Sequence, residues 1–279
     1  MTALLEGQVI LITGSTAGLG ATMAETFARH SAAVVITGRR LERGQEVERR
    51  IESAGGRALF VQMDMCSEDQ VAAAVAAAVA KFGKLTGLVN NAAWIQGRPD
   101  APITEIDTQA WRAMLASDLD GFFFASKHAI RAIAIAGGGS VVNMSSAAGV
   151  RGQLSGHAYT ACKGAIQSLT PAMAAYYSRY NIRVNCLVAG TFDTGEGRLR
   201  ELLTDPVVGT KLRQHYLGRV GEPRELADAT AFLLSPAASF INGILLPVDN
   251  GATSKSHSLS PVVNMAGVPD PANDWTRAC

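Results

Sequence analysis

The sequence predicts a single α/β domain built around a doubly wound parallel sheet of seven strands. Seven short apolar runs alternate with stretches of helical periodicity, a pattern typical of a parallel sheet with helices on both faces. The predicted strands are 9–12, 33–36, 58–61, 87–89, 140–144, 183–188 and 244–248. A chain of 279 residues, 48% of them hydrophobic, can bury one large core. Because Pro247 lacks a backbone N–H, we expect the last strand to lie at the sheet edge or to be partly irregular.

A glycine-rich loop follows the first predicted strand. The segment 13–20 reads TGSTAGLG and precedes a helical pattern from Ala21 to His30. Glycines let a backbone turn tightly and approach a phosphate, while the N–H groups at the start of the next helix can donate to an anion. A plain turn between strand and helix is the alternative interpretation. The strand before the loop and the helix after it favour a nucleotide site.

A tyrosine and a lysine lie one helical turn apart further along the chain. Tyr159 and Lys163 have the i, i+4 spacing that brings two side chains together on one helix face. A tyrosine with an ordinary pKa of about 10 is a poor base near neutral pH, but an adjacent cation stabilises its phenolate form. Such pairs also arise by chance in helices, as a packed tyrosine beside a surface lysine. The preceding strand ends in Ser145 and Ser146, which favours a catalytic role for the pair.

These motifs, taken in order, resemble those of the short-chain dehydrogenase/reductase family. The matching positions are the loop 13–20, Asp64, Asn90 to Ala93, Ser146, Tyr159, Lys163, Ile182 to Asn185, Thr194, and the segment from Gly218-Arg219 through Gly243. The resemblance covers nearly the whole chain. It implies a Rossmann-like fold, with residues 1–251 as one domain, a substrate flap at about 191–218, and 252–279 as a C-terminal extension.

The resemblance implies a role for each polar residue near the tyrosine. Tyr159 is the expected acid/base, Ser146 orients the substrate oxygen, and Lys163 stabilises the phenolate and contacts the nicotinamide ribose. Ser146 is preferred because the family uses its thirteen-residue spacing before the tyrosine, and Ser145 is the alternative. The fourth expected catalytic position is Asp118, where the family normally has asparagine.

A nicotinamide dinucleotide is the cofactor that the resemblance implies. We expect NADP rather than NAD because Arg39, after the second strand, can pair with the 2′-phosphate. NAD remains the alternative, because Arg39 and Arg40 can also be a solvated pair and Ala17 stands where many NADP-preferring relatives have a second basic residue. Asp64 could instead only cap the following helix. The expected cofactor contacts are Gly14, Ser15, Thr16, Gly18, Leu19, Gly20, Arg39, Asp64, Met65, Asn90, Ala92, Tyr159, Lys163, Val188 and Thr194.

The expected substrate is a ketone, an aldehyde or a secondary alcohol with an apolar body. Most of the residues expected to line its cavity are apolar or aromatic, as in other small-molecule sites. His157 lies two residues before Tyr159 and is interpreted as a wall or a hydrogen-bond donor rather than a second catalyst. The expected lining residues are Trp94, Gln96, Leu154, His157, Phe192 and Leu199.

The composition argues against several other classes of function. The formal net charge is +1, so the overall charge does not favour nucleic acid or an anionic membrane surface as a partner. The four cysteines lack C-x-x-C spacing and have no histidine cluster beside them, which argues against a zinc site and favours a reducing compartment. No long apolar segment or signal-like N-terminus is present. We therefore expect a cytoplasmic protein without a resident metal, and the resemblance implies a homo-oligomer, either a tetramer or a dimer.

One alternative function remains open at the level of sequence. Two residues depart from the family pattern: Asp118 stands where the family normally has asparagine, and Ala93 stands where it has glycine. A nucleotide-binding sensor or regulatory protein with a vestigial active site would tolerate such changes. Turnover against a panel of carbonyl compounds distinguishes an active dehydrogenase from such a sensor.

Overall fold

The fold is an α/β sandwich of one parallel sheet between two helical layers. A computed structural model describes residues 3–94, 97, 99–195, 198–215 and 219–254. Within this part of the chain the strands are β1 (Val9–Ile12), β2 (Ala33–Gly38), β3 (Arg57–Gln62), β4 (Gly87–Asn90), β5 (Gly139–Ser146), β6 (Ile182–Ala189) and β7 (Leu245–Val248). The helices are α1 (Gly18–Arg29), α2 (Leu41–Ser53), α3 (Glu68–Phe82), α4 (Thr108–Leu115), α5 (Gly121–Ile135), α6 (His157–Tyr177), α7 (Arg198–Thr204), α8 (Pro206–His215) and α9 (Pro223–Leu234).

The strand order is β3-β2-β1-β4-β5-β6-β7, and each neighbouring pair is parallel. The predicted sheet is therefore confirmed, with each strand close to its expected position. β7 lies at one edge, as the proline in it indicated. The connections reverse direction between β1 and β4, so the carboxyl ends of these two strands open onto the crevice where parallel sheets bind ligands.

The strands contribute apolar side chains to a hydrophobic core on each face of the sheet. In β1, Ile10 and Ile12 point into a cluster with α1 and α9, whereas Val9 and Leu11 point into a second cluster with α3 and α5. Successive strand residues face opposite sides, so an all-apolar strand can bury both of its faces.

Local signals in the sequence explain where the helices begin and end. α3 contains the alanine-rich stretch 71–80, Ser67 accepts a hydrogen bond from the Gln70 N–H at its start, and Gly83 ends it in the left-handed region at φ 79°. α9 begins with Pro223 and a reciprocal capping pair between Glu222 and Glu225. Among the described helices, none is both long and apolar enough to cross a bilayer.

Candidate active site

The carboxyl ends of β1 and β4 are joined by side-chain hydrogen bonds at the switch point. Thr13 Oγ1 accepts from the backbone N–H groups of Asn91 and Ala92 at 2.9 and 3.0 Å. Asn91 Nδ2 donates in return to the carbonyls of Thr13 and Gly14 at 2.9 and 3.0 Å. The glycine loop is therefore held against the segment that follows β4. Thr13 and Asn91 both lie in the matched motifs, and only the structure shows that they join the loop to this segment.

The glycines of the loop make room for close backbone contacts. Gly14 has φ +65°, and a Cβ atom on it would lie 2.9 Å from the Ala92 Cα. A Cβ on Gly20 would overlap the Gly14 carbonyl oxygen and lie 2.7 Å from the Ser15 Cα. The first residue outside α1, Ala17, offers no side-chain cap, and the first turn of α1 contains no acidic residue. The N-terminus of α1 thus offers backbone donors to an anion, which fits a dinucleotide pyrophosphate.

One predicted loop contact is corrected by the structure. The Ser15 side chain is fully buried, and its Oγ donates to the Ile12 carbonyl at 2.8 Å and accepts from the Thr37 N–H at 2.9 Å. The Ser15 N–H also donates to the Thr37 carbonyl. With both donors engaged by β1 and β2, Ser15 supports the loop and does not contact a cofactor through them.

The remaining loop residues surround the expected phosphate position. Thr16 is nearly buried against Gly38, and Leu19 packs on the core cluster of α1. A Cβ on Gly18 would lie 3.6 Å from Thr194 Cγ2, so the loop approaches the segment that follows β6. This proximity is compatible with the predicted roles of Gly18 and Thr194.

The predicted adenosine pocket lies at the ends of β2 and β3. Arg39 is exposed, and its carbonyl accepts from Gln62 Nε2 at 2.9 Å. Asp64 Oδ1 accepts from the Cys66 N–H at 3.0 Å, while Ser67 and not Asp64 caps α3. The alternative interpretation of Asp64 as the helix cap is therefore wrong. Met65 packs toward α5 near Gly121.

Two further predicted cofactor contacts have side chains that face the interior. Asn90 is 5% exposed, and its Nδ2 donates to Ser126 Oγ and to Asn143 Oδ1. Its amide joins β4 to β5 and α5, so the predicted cofactor contact at Asn90 stays a prediction that involves its backbone. The Val188 side chain packs in a small cluster with Phe122 and Ile166, so only its backbone is available to a nicotinamide amide.

Ser146 and Tyr159 line the same cavity, whose volume is about 210 Å³. The strand register places Ser146 beside Ala189, and Ala189, Gly190 and Thr191 form the opposite wall. Both residues therefore border one small polar space.

Ser145, the alternative to Ser146, points away from the cavity. Its Oγ donates to the Lys163 carbonyl at 2.9 Å and accepts from Gln167 Nε2 at 2.8 Å. Neighbouring residues in a strand face opposite sides, so only one of the two serines can face the cavity. The geometry therefore favours Ser146 and makes Ser145 a link between β5 and α6.

Lys163 is a buried cation held beside the tyrosine ring. It is 3% exposed, its Nζ donates to the Met144 carbonyl at 3.0 Å, and it lies 5.5 Å from the centre of the Tyr159 ring. The one-turn spacing of the two residues therefore places a cation against the ring, as the sequence predicts. Cys162, between the two residues, is fully buried, and burial with the nearby Asp118 charge raises the pKa of its thiol to about 12. The interpretation of Cys162 as a packing residue and not a nucleophile fits this environment.

Comparison with known proteins agrees with this geometry. A family model described as enoyl-(acyl carrier protein) reductase matches residues 14–253. The cis-4-hydroxycyclohexanecarboxylate dehydrogenase of Sinomonas cyclohexanicum is 41% identical over 247 residues, which cover 88% of this chain and 97% of that protein. The chain belongs to the short-chain dehydrogenase/reductase family. It is an NAD(P)-dependent oxidoreductase that acts on CH–OH groups, as the sequence predicts.

Two solved members of the family share the fold over most of their length. A gluconate 5-dehydrogenase from Burkholderia cenocepacia J2315, in complex with NADP and tartrate, is 36% identical with a TM-score of 0.83 and covers 91% of this chain and 98% of its own. A 7α-hydroxysteroid dehydrogenase, complexed with NADH and 7-oxo glycochenodeoxycholic acid, is 31% identical with a TM-score of 0.82 and covers 90% and 96%.

At the position where the family normally has asparagine, Asp118 binds a backbone group of the next loop. It is 1% exposed, lies in a π-helical turn (Ala116–Asp120) between α4 and α5, and its Oδ1 accepts from the Trp94 N–H at 2.8 Å. Asp118 Oδ2 is buried without a hydrogen-bond partner among the described residues. The carboxylate therefore holds the start of the segment after β4, and its catalytic role remains a prediction.

The predicted substrate wall is only partly assembled by the structure. Leu154 is almost fully exposed and Phe192 is buried in the core against Gly221, and neither lines the Ser146 cavity. The two ring nitrogens of His157 face the Ile103 N–H and the Gln153 carbonyl, so its ring is held by the protein. Trp94 and Leu199 are partly buried, and Gln96 lies outside the described residues.

Sequence reasoning missed several polar residues around the tyrosine. Gln153, Ser155 and Thr191 line the cavity, and Asp100 binds the first turn of α6. The first two lie in the chain between Ser146 and Tyr159, a signal that could have identified them. Asp100 is 59 positions from Tyr159, and a contact at such a distance leaves no trace in local sequence patterns.

Proposed function

We propose that this chain is an NADP-preferring dehydrogenase that interconverts a secondary alcohol on a carbon ring and the corresponding ketone. The observation that carries the proposal is the common cavity of Ser146 and Tyr159, with Lys163 buried beside the tyrosine ring. The ring-shaped substrate is supported by two relatives, whose names denote a hydroxycyclohexane acid and a hydroxysteroid.

The residues of the cavity divide the chemistry among three groups. The Ser146 hydroxyl holds the substrate oxygen. In alcohol oxidation the Tyr159 phenolate takes the proton of the alcohol, and in ketone reduction the Tyr159 phenol gives its proton to the substrate oxygen. Lys163 stabilises the phenolate that this transfer leaves behind. When bound, the nicotinamide cofactor supplies or accepts the hydride. The glycine loop after β1 fits that cofactor, because the N-terminus of α1 has neither a side-chain cap nor an acidic residue in its first turn.

The preference for NADP rests on Arg39. Its guanidinium is exposed and makes no hydrogen bond or ion pair with any described residue, while its carbonyl is held by Gln62. A planar guanidinium at the end of β2 can bind a 2′-phosphate through two parallel hydrogen bonds. NAD remains the second candidate, because relatives have been solved with NADH and with NADP.

The cavity next to the reacting groups is more polar than the sequence indicated. Ser146, Gln153, Ser155 and Thr191 contribute hydroxyl and amide groups around Tyr159. The apolar ring of the substrate would then extend away from this polar end, under the flap formed by α7 and α8. The flap at 191–218 and the extension at 252–279 stay predictions, and residues 255–279 lie outside the described part.

We also propose that the protein is a cytoplasmic homo-oligomer. Large apolar side chains are exposed on α5 and α6 and near β7, including Phe123, Tyr176 and Phe240. Patches of this kind on a folded chain commonly mark contact with another subunit. Light scattering is expected to give two or four times the chain mass of 29.2 kDa, and a monomer at micromolar concentration would contradict this part of the proposal.

The mechanism is tested by replacing the phenol alone. Tyr159→Phe is expected to lower kcat for a cyclic alcohol about 10²–10⁴-fold, because only the proton-transferring hydroxyl is lost. Cofactor affinity, measured by nicotinamide fluorescence, should not change. Tyr176→Phe, at the other end of α6 and half-exposed, is the matched control and should keep full activity. Retained turnover in Tyr159→Phe would reject the mechanism. Cofactor binding by the wild-type chain without turnover of any compound in a broad panel would favour the sensor.

A further inference from the structure

Helix α6 begins without a capping side chain of its own. It starts at His157 after Gly156, which adopts the left-handed conformation at φ 83° and has no side chain to accept a hydrogen bond. The first turn of α6 contains no acidic residue. Every helix leaves its first N–H groups without partners inside the helix, and those at the second and third positions are normally satisfied by the capping residue.

A carboxylate from a distant loop supplies the missing acceptors. Asp100, between β4 and α4, accepts from the Ala158 N–H through Oδ1 at 3.1 Å and from the Tyr159 N–H through Oδ2 at 2.9 Å. Asp100 Oδ1 also accepts from the Ala101 N–H at 2.9 Å. Both oxygens are thus engaged by backbone donors, and the negative charge lies at the positive end of the helix dipole.

The same loop makes further contacts with the start of α6. The His157 N–H donates to the Ala101 carbonyl at 3.3 Å, and the Ile103 N–H donates to His157 Nδ1 at 2.9 Å. His157 Nε2 lies 3.3 Å from the Gln153 carbonyl. Residues 100–103 therefore lie along the first turn of the helix and are bound to it at several points.

Tyr159 is the third residue of α6, so the catalytic phenol belongs to the turn that these contacts hold. Helix ends fray when their terminal groups are unsatisfied. Lys163 lies one turn deeper and is fixed independently by the Met144 carbonyl. Loss of the cap would move Tyr159 while Lys163 and Ser146 stay in place, and the one-turn spacing between phenol and cation would be lost.

We propose that Asp100 is a positioning residue for the reaction: it caps α6 from the loop after β4 and thereby sets the place of the Tyr159 hydroxyl in the cavity. This inference rests on the proposed function, since it assumes that Tyr159 transfers the proton.

The experiment compares Asp100→Ala, Asp100→Asn and Asp107→Ala in the full chain. Asp107 is the matched control, because its carboxylate caps α4 by accepting from the Gln109 and Ala110 N–H groups and, among the described residues, makes no hydrogen bond to α6. The readouts are the melting temperature, the cofactor Kd, kcat, KM and the single-turnover rate constant with enzyme in excess. When the folded enzyme saturates the substrate, the single-turnover rate constant does not depend on the fraction of folded enzyme, so a loss of folded protein alone leaves it unchanged.

We expect Asp100→Ala to lower kcat and the single-turnover rate constant about tenfold or more, which corresponds to about 1.4 kcal/mol. Cofactor Kd should stay unchanged. Asp100→Asn should recover part of the rate, because its oxygen still accepts from Ala158 and Ala101 while its amide N–H₂ faces the Tyr159 N–H. Asp107→Ala should lower the melting temperature without lowering the single-turnover rate constant.

The outcomes separate the inference from the function on which it rests. A wild-type single-turnover rate constant in Asp100→Ala, whatever its melting temperature, overturns the positioning role and leaves the proposed function intact. If Asp100→Ala does not fold, Asp100→Asn decides in the same way, with a wild-type rate constant again overturning the inference. No turnover by the wild-type chain overturns both.

Discussion

Replacing Gly20 by alanine tests whether close backbone packing shapes the dinucleotide crevice. The added Cβ would overlap the Gly14 carbonyl oxygen, and it would lie 2.7 Å from the Ser15 Cα and 2.8 Å from Asn91 Nδ2. The first two are backbone atoms of the loop itself, so no side-chain rotation relieves the contact. The loop 14–20 must shift as a unit, and the bond from Asn91 to the Gly14 carbonyl must lengthen.

The size of the effect follows from two opposing contributions. Overpacking of this kind costs about 1–3 kcal/mol, whereas alanine is favoured over glycine in a helix by up to about 1 kcal/mol. With the full helix gain subtracted, Gly20→Ala loses up to about 2 kcal/mol of stability. At about 2–4 °C per kcal/mol for a chain of this size, the melting temperature should fall by up to about 8 °C. Displaced backbone donors would also weaken NADPH binding, by about tenfold if one charge-assisted hydrogen bond is lost.

Thermal unfolding and cofactor titration of Gly20→Ala, beside Gly164→Ala, measure both effects. Gly164 lies in α6, and the nearest atom to a Cβ placed there is the Gly149 carbonyl oxygen at 3.7 Å. The control therefore receives the helix-propensity gain without a clash, and its melting temperature should not fall. If Gly20→Ala matches the control in melting temperature and in NADPH Kd, the crevice is not shaped by this contact.

Three further outcomes are expected. Arg39→Ala should weaken NADPH binding by about 1.5–3 kcal/mol and leave NADH binding unchanged, as measured by fluorescence titration. Equal losses of affinity for the two cofactors would show that Arg39 is only a solvated surface residue. Ser146→Ala should lower kcat with little change in melting temperature. Ser145→Ala should lower the melting temperature, because it removes a hydrogen-bond acceptor from buried Gln167. The reverse pattern would show that the roles of the two serines are exchanged. Burial raises the pKa of Cys162 to about 12 and that of Cys186 to about 11, from an ordinary value of 9.0. A thiol whose folded pKa is raised stabilises the fold below its unfolded pKa, so the unfolding free energy from urea titrations should fall from pH 9 toward pH 11. A fall of the same size in Cys186→Ala would show that this thiol does not contribute.

Much of the site could be predicted from local patterns. The strand ends, the glycine loop and the pair Tyr159 and Lys163 each have a signature within a few residues, because strand alternation and helix spacing are short-range properties. The strand register then places Ser146 rather than Ser145 at the cavity. Local patterns could not show where the polar groups of two matched residues are engaged. Ser15 and Asn90 match a family position, but their hydrogen-bonding groups are engaged by Thr37 and Asn143, whose proximity follows only from the assembled sheet.

The sequence alone determined the alternation of strands and helices, the edge position of β7, the place of the dinucleotide loop and the spacing of the phenol and its cation. These features depend on residues close together in the chain, where periodicity and missing backbone donors act directly. Only the tertiary structure decided which serine faces the cavity, how Asp118 holds Trp94, and that Asp100 caps the helix of Tyr159. Those contacts join residues up to 59 positions apart. They form only when packing of the apolar faces brings the loops at the carboxyl ends of the strands together.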